Sequence, residues 1–82
     1  MILAVFRSRT QLFRFLDVLR SLGGNASVVS TPQEASVGCG LSARFEETDL
    51  PKARTAANAL RESFVGFYKT NGNYGKKIVK LP

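Results

Sequence analysis

The sequence predicts an α+β fold: a ferredoxin-like split β-α-β-β-α-β two-layer sandwich, with an antiparallel sheet and both helices on one face. Three observations predict it. The chain has 82 residues, which is enough for one small core. Its apolar residues switch between strand spacing and helix spacing in that order. Glycine, proline and capping residues stand where the elements are expected to begin and end.

The first half of the chain predicts a strand, a helix and a second strand. Residues 2–6 are consecutive apolar residues, which is typical of a buried strand. Ser8 and Gln11 have the spacing of a capping box, so a helix is predicted to follow Ser8. The helix is predicted to end at glycines 23–24, because glycine adopts the left-handed conformation without strain. Residues 26–30 are then predicted to form the second strand.

The second half predicts a loop, two strands and a helix between them. The loop spans 31–40, and residues 41–45 alternate apolar and polar as a half-buried strand does. Asp49 is placed to cap the second helix, with a proline just inside its start. Residues 64–69 are predicted to form the fourth strand. Residues 77–81 can pair back on it as a short edge strand.

The same periodicities indicate the strand order and the core. The right-handed crossover rule makes the first and second strands parallel, with the third strand between them. This order brings the end of the first strand, the start of the first helix and the 31–40 loop to one edge. On the first helix we expect Phe13 in the apolar stripe and Phe15 beside it, both in or near the core. The stripe also includes Leu12, Leu16, Leu19 and Leu22, and the remaining predicted core is Leu3, Val5, Val28, Leu41, Ala43, Ala53, Ala57, Leu60, Val65 and Phe67.

The composition excludes most conventional active sites. The chain has no histidine and one cysteine, which argues against serine–histidine and cysteine–histidine catalysis, most zinc sites and internal disulfides. The net charge of +6 favours an anionic partner, or serves solubility alone. The apolar run at the start is too short for a membrane span or a signal peptide. We therefore expect a cytoplasmic protein with no membrane partner, no metal and no cofactor.

Cys39 is the residue best suited to carry chemistry. A glycine on each side leaves its sulfur without cover from neighbouring side chains. The predicted topology places it beside the start of the first helix, where Arg7, Ser8 and Arg9 are expected to stabilise an anion. On the residues alone, the alternative is a small buried cysteine with a structural role.

Residues 31–45 (TPQEASVGCGLSARF) resemble the central motif of the putative selenium/sulfur carrier protein-like family. Segments 6–10 and 66–68 resemble the two ends of that family, so the resemblance covers 1–69. It implies that Cys39 holds sulfur or selenium as a persulfide or selenosulfide, in a carrier rather than a turnover enzyme. The residues that the resemblance implies as the frame of this cysteine are Thr31, Pro32, Ser36, Gly38 and Gly40.

Two functional hypotheses remain open from the sequence. In the first, residues 1–69 are a single carrier-like domain that works with sulfur or selenium donor and acceptor proteins, and 70–82 are a basic tail. In the second, the chain is a small basic interaction domain with a structural Cys39, either homodimeric or bound to nucleic acid or an acidic partner. A basic four-stranded sheet is compatible with RNA binding, but the chain lacks an aromatic RNA-recognition motif. We expect no sequence-specific binding of nucleic acid.

Overall fold

The computed structural model describes residues 1–31, 39–70 and 78–81, and it confirms the α+β class. A short 3₁₀ turn at Glu47–Asp49 precedes the second helix. The strands are β1 (Ile2–Phe6), β2 (Ser27–Ser30), β3 (Leu41–Phe45), β4 (Phe64–Thr70) and β5 (Ile78–Lys80), and the helices are α1 (Arg9–Ser21) and α2 (Leu50–Asn58).

The described strands form one antiparallel sheet in the order β2-β3-β1-β4-β5. The central strand β1 pairs with β3 on one side and β4 on the other, so that Ala4 lies opposite Ala43 and Phe67. β3 lies between β1 and β2, as the crossover rule predicts. The first four strands therefore have the ferredoxin-like order, and β5 extends the sheet beyond β4.

Helix α1 has a cap at each end. The Ser8 hydroxyl accepts a hydrogen bond of 3.4 Å from the Gln11 amide, as the capping pattern predicts. At the other end Gly23 has a φ of +89°, and the Gly24 amide donates to the Leu19 carbonyl over 2.9 Å. A Cβ on Gly24 would lie 2.6 Å from the Leu19 side chain, so this position also requires glycine for space.

The main core lies between the sheet and the two helices. Ile2, Ala4 and Phe6 face the helices and share one buried cluster with side chains of α1 and α2. Leu3 and Val5 are buried as predicted, at 3% and 0% exposure, but they belong to the alternate face of β1 and lie outside that cluster. Both faces of β1 are therefore buried.

Several apolar positions differ from the prediction. Phe13 and Leu22 of the predicted stripe are 49% and 40% exposed, whereas Phe15 is fully buried with its ring 5.1 Å from the ring of Phe6. Leu12, Leu16 and Leu19 are buried as predicted, but Phe15 and not Phe13 completes this face of α1, so Phe13 points to solvent. Val28 was also predicted to be core and is 39% exposed, because it lies on the edge strand β2.

The ends of the secondary structure are held by contacts across the fold. Asp49 occupies the N-cap position of α2 but makes no capping bond. Its carboxylate instead accepts a hydrogen bond of 3.2 Å from the Asn25 amide. After β5, the Leu81 amide donates to the Phe67 carbonyl over 2.8 Å, and Leu81 packs against the core. The division between a 1–69 domain and a 70–82 tail stays a prediction.

Candidate functional site

Cys39 lies at the end of the central strand. Its amide donates a hydrogen bond of 3.0 Å to the carbonyl oxygen of Phe6, the last residue of β1. The chain leaves Phe6 through Arg7 and Ser8, which precede the first turn of α1. The sheet topology therefore brings the backbone of Cys39 next to the segment that begins α1.

The Cys39 thiol is half-buried and makes a local contact. Its Sγ lies 3.7 Å from the carbonyl oxygen of Leu41, and the thiol proton donates to that oxygen. A thiolate has no proton to donate, so ionisation would break this contact. Within the described residues, no arginine donates a hydrogen bond to the sulfur. The structure thus brings Cys39 to the sheet edge that the topology predicted, without a direct hydrogen bond from an arginine to the sulfur.

The two ends of the 31–40 loop are joined by hydrogen bonds. The Thr31 amide donates to the Gly40 carbonyl over 2.9 Å. The Thr31 hydroxyl also lies 2.6 Å from the hydroxyl of Ser42, which is fully buried. Gly40 has a φ of +90°, a conformation that favours glycine. The other predicted frame residues lie outside the described part of the chain: Pro32, Ser36 and Gly38.

The start of α1 carries positive charge that the described residues do not neutralise. Arg7 and Arg9 are both exposed, and Ser8 is half-buried as the N-cap residue. The first turn of α1 contains no acidic side chain. Among the described ion pairs, none involves Arg7 or Arg9. The unpaired amides of a helix N-terminus add partial positive charge at the same place.

The family of the chain follows from the match to its central motif. A family model described as "Putative Se/S carrier protein-like" matches residues 1–69, which include Cys39 and the joined loop ends around it. The chain belongs to this family. No curated protein and no solved structure matches the chain. The resemblance that the sequence indicated is confirmed, and β5 lies beyond the matched part of this Se/S carrier-like chain.

Sequence reasoning missed a cleft on the other side of the β1 end. The cleft has a volume of about 620 Å³ and lies between the start of α1 and the segment that joins α2 to β4. Arg14 and Arg61 line it from these two elements. They stand far apart in the sequence, so no local motif could have indicated the cleft. The side chains that line it with them include Arg7, Ser8, Gln11 and Ser63.

Two further features bear on the chemistry of this Se/S carrier-like chain. Across the described ranges, no group of three or more His, Cys, Asp or Glu side chains is placed to hold a metal ion. None of the described helices is long and apolar enough to cross a membrane. The chain has one thiol, that of Cys39.

Proposed function

We propose that this chain carries one sulfur or selenium atom on Cys39, as a persulfide or selenosulfide, from a donor protein to an acceptor protein. The observation that carries the proposal is the position of the only cysteine: it is partly buried, it lies in a loop, and it falls within the segment that matches the Se/S carrier-like family. A cysteine that served packing alone would be expected inside the core. Cys39 lies instead at the rim of the sheet, where a partner can reach it.

Loading follows the chemistry of thiol–disulfide exchange. The Cys39 thiolate attacks the outer sulfur of a donor persulfide, R–S–SH. A sulfur–sulfur bond forms to Cys39 while the bond inside the donor breaks, and the donor leaves as the thiolate R–S⁻. Sulfur is transferred without net oxidation, so no external oxidant is needed. The same exchange on a donor selenosulfide, R–S–SeH, places selenium on Cys39.

Unloading has to involve a second molecule. The chain contains one cysteine, so no thiol of its own can attack the loaded sulfur and close an internal disulfide. An acceptor thiolate attacks the outer atom, and Cys39 leaves as a thiolate. This chemistry favours a carrier that keeps its cargo until it meets an acceptor.

The surroundings of Cys39 give the neighbouring residues distinct roles in this proposal. The hydrogen bond from the Cys39 amide to the Phe6 carbonyl fixes the position of the cysteine backbone at the end of β1. The chain runs from Phe6 through Arg7 and Ser8 into the first turn of α1, so positive charge lies next in sequence to the residue that pairs with Cys39. Formation of the thiolate releases the contact to the Leu41 carbonyl, which frees the sulfur to turn toward a partner.

Intact mass spectrometry tests the proposal directly. The protein is purified without reductant and then incubated with a polysulfide salt. We expect a mass increase of one sulfur atom that dithiothreitol removes. Growth with selenite is expected to give the corresponding selenium adduct. The matched control is Cys39→Ser, which keeps the fold and gains no mass. A folded protein that gains no sulfur, or a Cys39→Ser variant that gains as much as wild type, contradicts the proposal.

A further inference from the structure

We propose that the cleft between the start of α1 and the α2–β4 connection binds a phosphate-type oxyanion. This site lies on the β4 side of the β1 end, whereas Cys39 lies on the β3 side. It shares Arg7, Ser8 and the start of α1 with the surroundings of Cys39, but it does not include the thiol and does not depend on carrier chemistry. Four properties of the cleft support it: its arginines, its helix terminus, an unpaired hydroxyl and its size.

The first support is the set of arginines that share the cleft. Arg7, Arg14 and Arg61 all line it, and they come from three different places in the chain. None of them forms an ion pair within the described residues. One carboxylate, Glu62, also lines the cleft and is exposed. The cleft therefore has three guanidinium groups against one carboxylate, and guanidinium groups bind phosphate oxygens through paired hydrogen bonds.

The second support is the backbone of α1. Ser8 caps this helix at the edge of the cleft, and Gln11 lines the cleft one turn later. The Gln11 amide already donates to the Ser8 hydroxyl, so the helix end contributes its partial positive charge to the cleft. The first turn has no acidic side chain that would neutralise this charge. An oxyanion in the cleft would lie near both the positive end of this helix and the arginines.

The third support is an unpaired hydroxyl. Ser63 lines the cleft, and its Oγ is buried with no hydrogen-bond partner within the described residues. The backbone of Ser63 is fixed, because its carbonyl accepts a hydrogen bond of 2.8 Å from the Arg7 amide. A buried hydroxyl without a partner is costly, and it indicates a missing partner. Because Ser63 belongs to the lining of the cleft, we assign a bound oxyanion as this missing partner.

The size of the cleft indicates what the oxyanion can be attached to. A volume of about 620 Å³ lies within the range of small-molecule sites. It exceeds the space that one phosphate group fills. The ligand class is therefore inorganic phosphate or the phosphate of a small organic molecule such as a nucleotide, which share the same recognition chemistry.

Amide chemical-shift titrations of the full chain test the proposal with three probes: inorganic phosphate, ADP and adenosine. Ionic strength is held constant with chloride. We expect saturable shifts at the amides of Ser8, Gln11 and Ser63, which line the cleft, with phosphate and with ADP. Tighter binding of ADP than of phosphate would identify an organic phosphate as the ligand, and equal binding would identify the free anion. Shifts without saturation, or equal shifts with adenosine, overturn the proposal.

Matched variants distinguish specific binding in the cleft from a general effect of net charge. Arg61→Gln is expected to weaken phosphate binding about tenfold, since hydrogen bonds to charged groups are the strongest of the polar contacts. Arg44→Gln removes the same charge from an exposed position on β3 that does not line the cleft, and a change below about twofold is expected. Equal weakening by both variants overturns the proposal. If Arg61→Gln fails to fold, Arg14→Gln makes the same comparison from the exposed side of α1.

Discussion

The amide of Cys39 donates a hydrogen bond of 3.0 Å to the carbonyl oxygen of Phe6. On the other side of the same strand end, the Arg7 amide donates to the carbonyl oxygen of Ser63 over 2.8 Å. The end of β1 is therefore held between the cysteine loop and the arginine-lined cleft. The thiol and the positive charge therefore lie at the same edge of the sheet.

Gly40→Ala is expected to change both stability and the reactivity of Cys39. Gly40 has a φ of +90°, and a Cβ there meets no atom within 4 Å, so the expected cost of about 1 kcal/mol comes from backbone strain alone. Relief of that strain would disturb the hydrogen bond from the Thr31 amide to the Gly40 carbonyl, and this hydrogen bond joins the two ends of the loop. We expect a changed rate of Cys39 alkylation by iodoacetamide, followed by intact mass, and a lower urea midpoint.

The control for this variant is Gly23→Ala. Gly23 has a φ of +89°, and the nearest atom to an added Cβ is the Lys52 Nζ at 3.6 Å. The two substitutions therefore carry the same backbone penalty at opposite ends of the molecule. Gly23→Ala is expected to lower stability by a similar amount and to leave the alkylation rate unchanged. If both variants change that rate equally, the effect of Gly40 is global destabilisation and not a local one.

Phe15→Ala and Phe13→Ala are expected to differ strongly in stability. Phe15 is fully buried against the Phe6 ring, so its removal should cost about 3–5 kcal/mol through lost burial and a cavity. Phe13 is 49% exposed, so its removal should change stability by no more than about 0.5 kcal/mol. Urea unfolding of both variants measures the difference. Similar losses would show that the sequence-based stripe, and not the observed face of α1, is correct.

The sequence predicted the fold because its local signals agree. Ser8 and Gln11 mark the start of α1, and the Gly23–Gly24 pair marks its end. It was harder to predict which residues of each element face the core. All five residues of β1 are buried, so alternation could not show that Ile2 and Phe6 face the helices. On α1, apolar residues are so frequent that the pattern could not show which of Phe13 and Phe15 lies on the buried face.

The candidate site could be predicted only where its residues are neighbours in sequence. Cys39 is marked by its flanking glycines, and topology alone brings it to Phe6. The cleft depends on Arg61 and Ser63, which follow α2 and reach the start of α1 through tertiary packing. A single sequence carries no local signal for such a pairing. The unpaired Ser63 hydroxyl in particular is visible only in the folded structure.

The Glu47–Lys69 ion pair is expected to give a pH-dependent contribution to stability. The Lys69 ammonium lies 2.8 Å from the Glu47 carboxylate, and its hydrogen bond and charge lower the pKa of Glu47. A carboxyl whose folded pKa is lowered stabilises the fold above its unfolded pKa and loses that contribution as the pH falls through the folded pKa. The effect should be small, because both side chains are about half exposed.

Lys69→Gln isolates this contribution. Carboxyl-detected NMR titration should show that the pKa of Glu47 rises toward its ordinary value in the variant. The stability difference between wild type and variant should be present at neutral pH and vanish in acid. The control is Lys52→Gln, which removes a lysine that lies 3.9 Å from Asp49 and does not contact Glu47. An unchanged Glu47 titration in Lys69→Gln would show that the pair does not form in solution.

A chain that ends at Lys69 is expected to unfold cooperatively but at a lower temperature. It retains the four strands and two helices of the ferredoxin-like unit, apart from the last residue of β4, and the whole segment that the family model matches. It loses the pairing of β5 with β4, the hydrogen bond from Leu81 to the Phe67 carbonyl, and the packing of Leu81 on the core. The expected loss is about 1–2 kcal/mol, since Leu81 is only partly buried. Calorimetry of the shortened chain, beside Leu81→Ala in the full chain, measures how much of the loss comes from this one side chain. A shortened chain without a cooperative transition would make β5 part of the folding unit and place the domain boundary beyond residue 69.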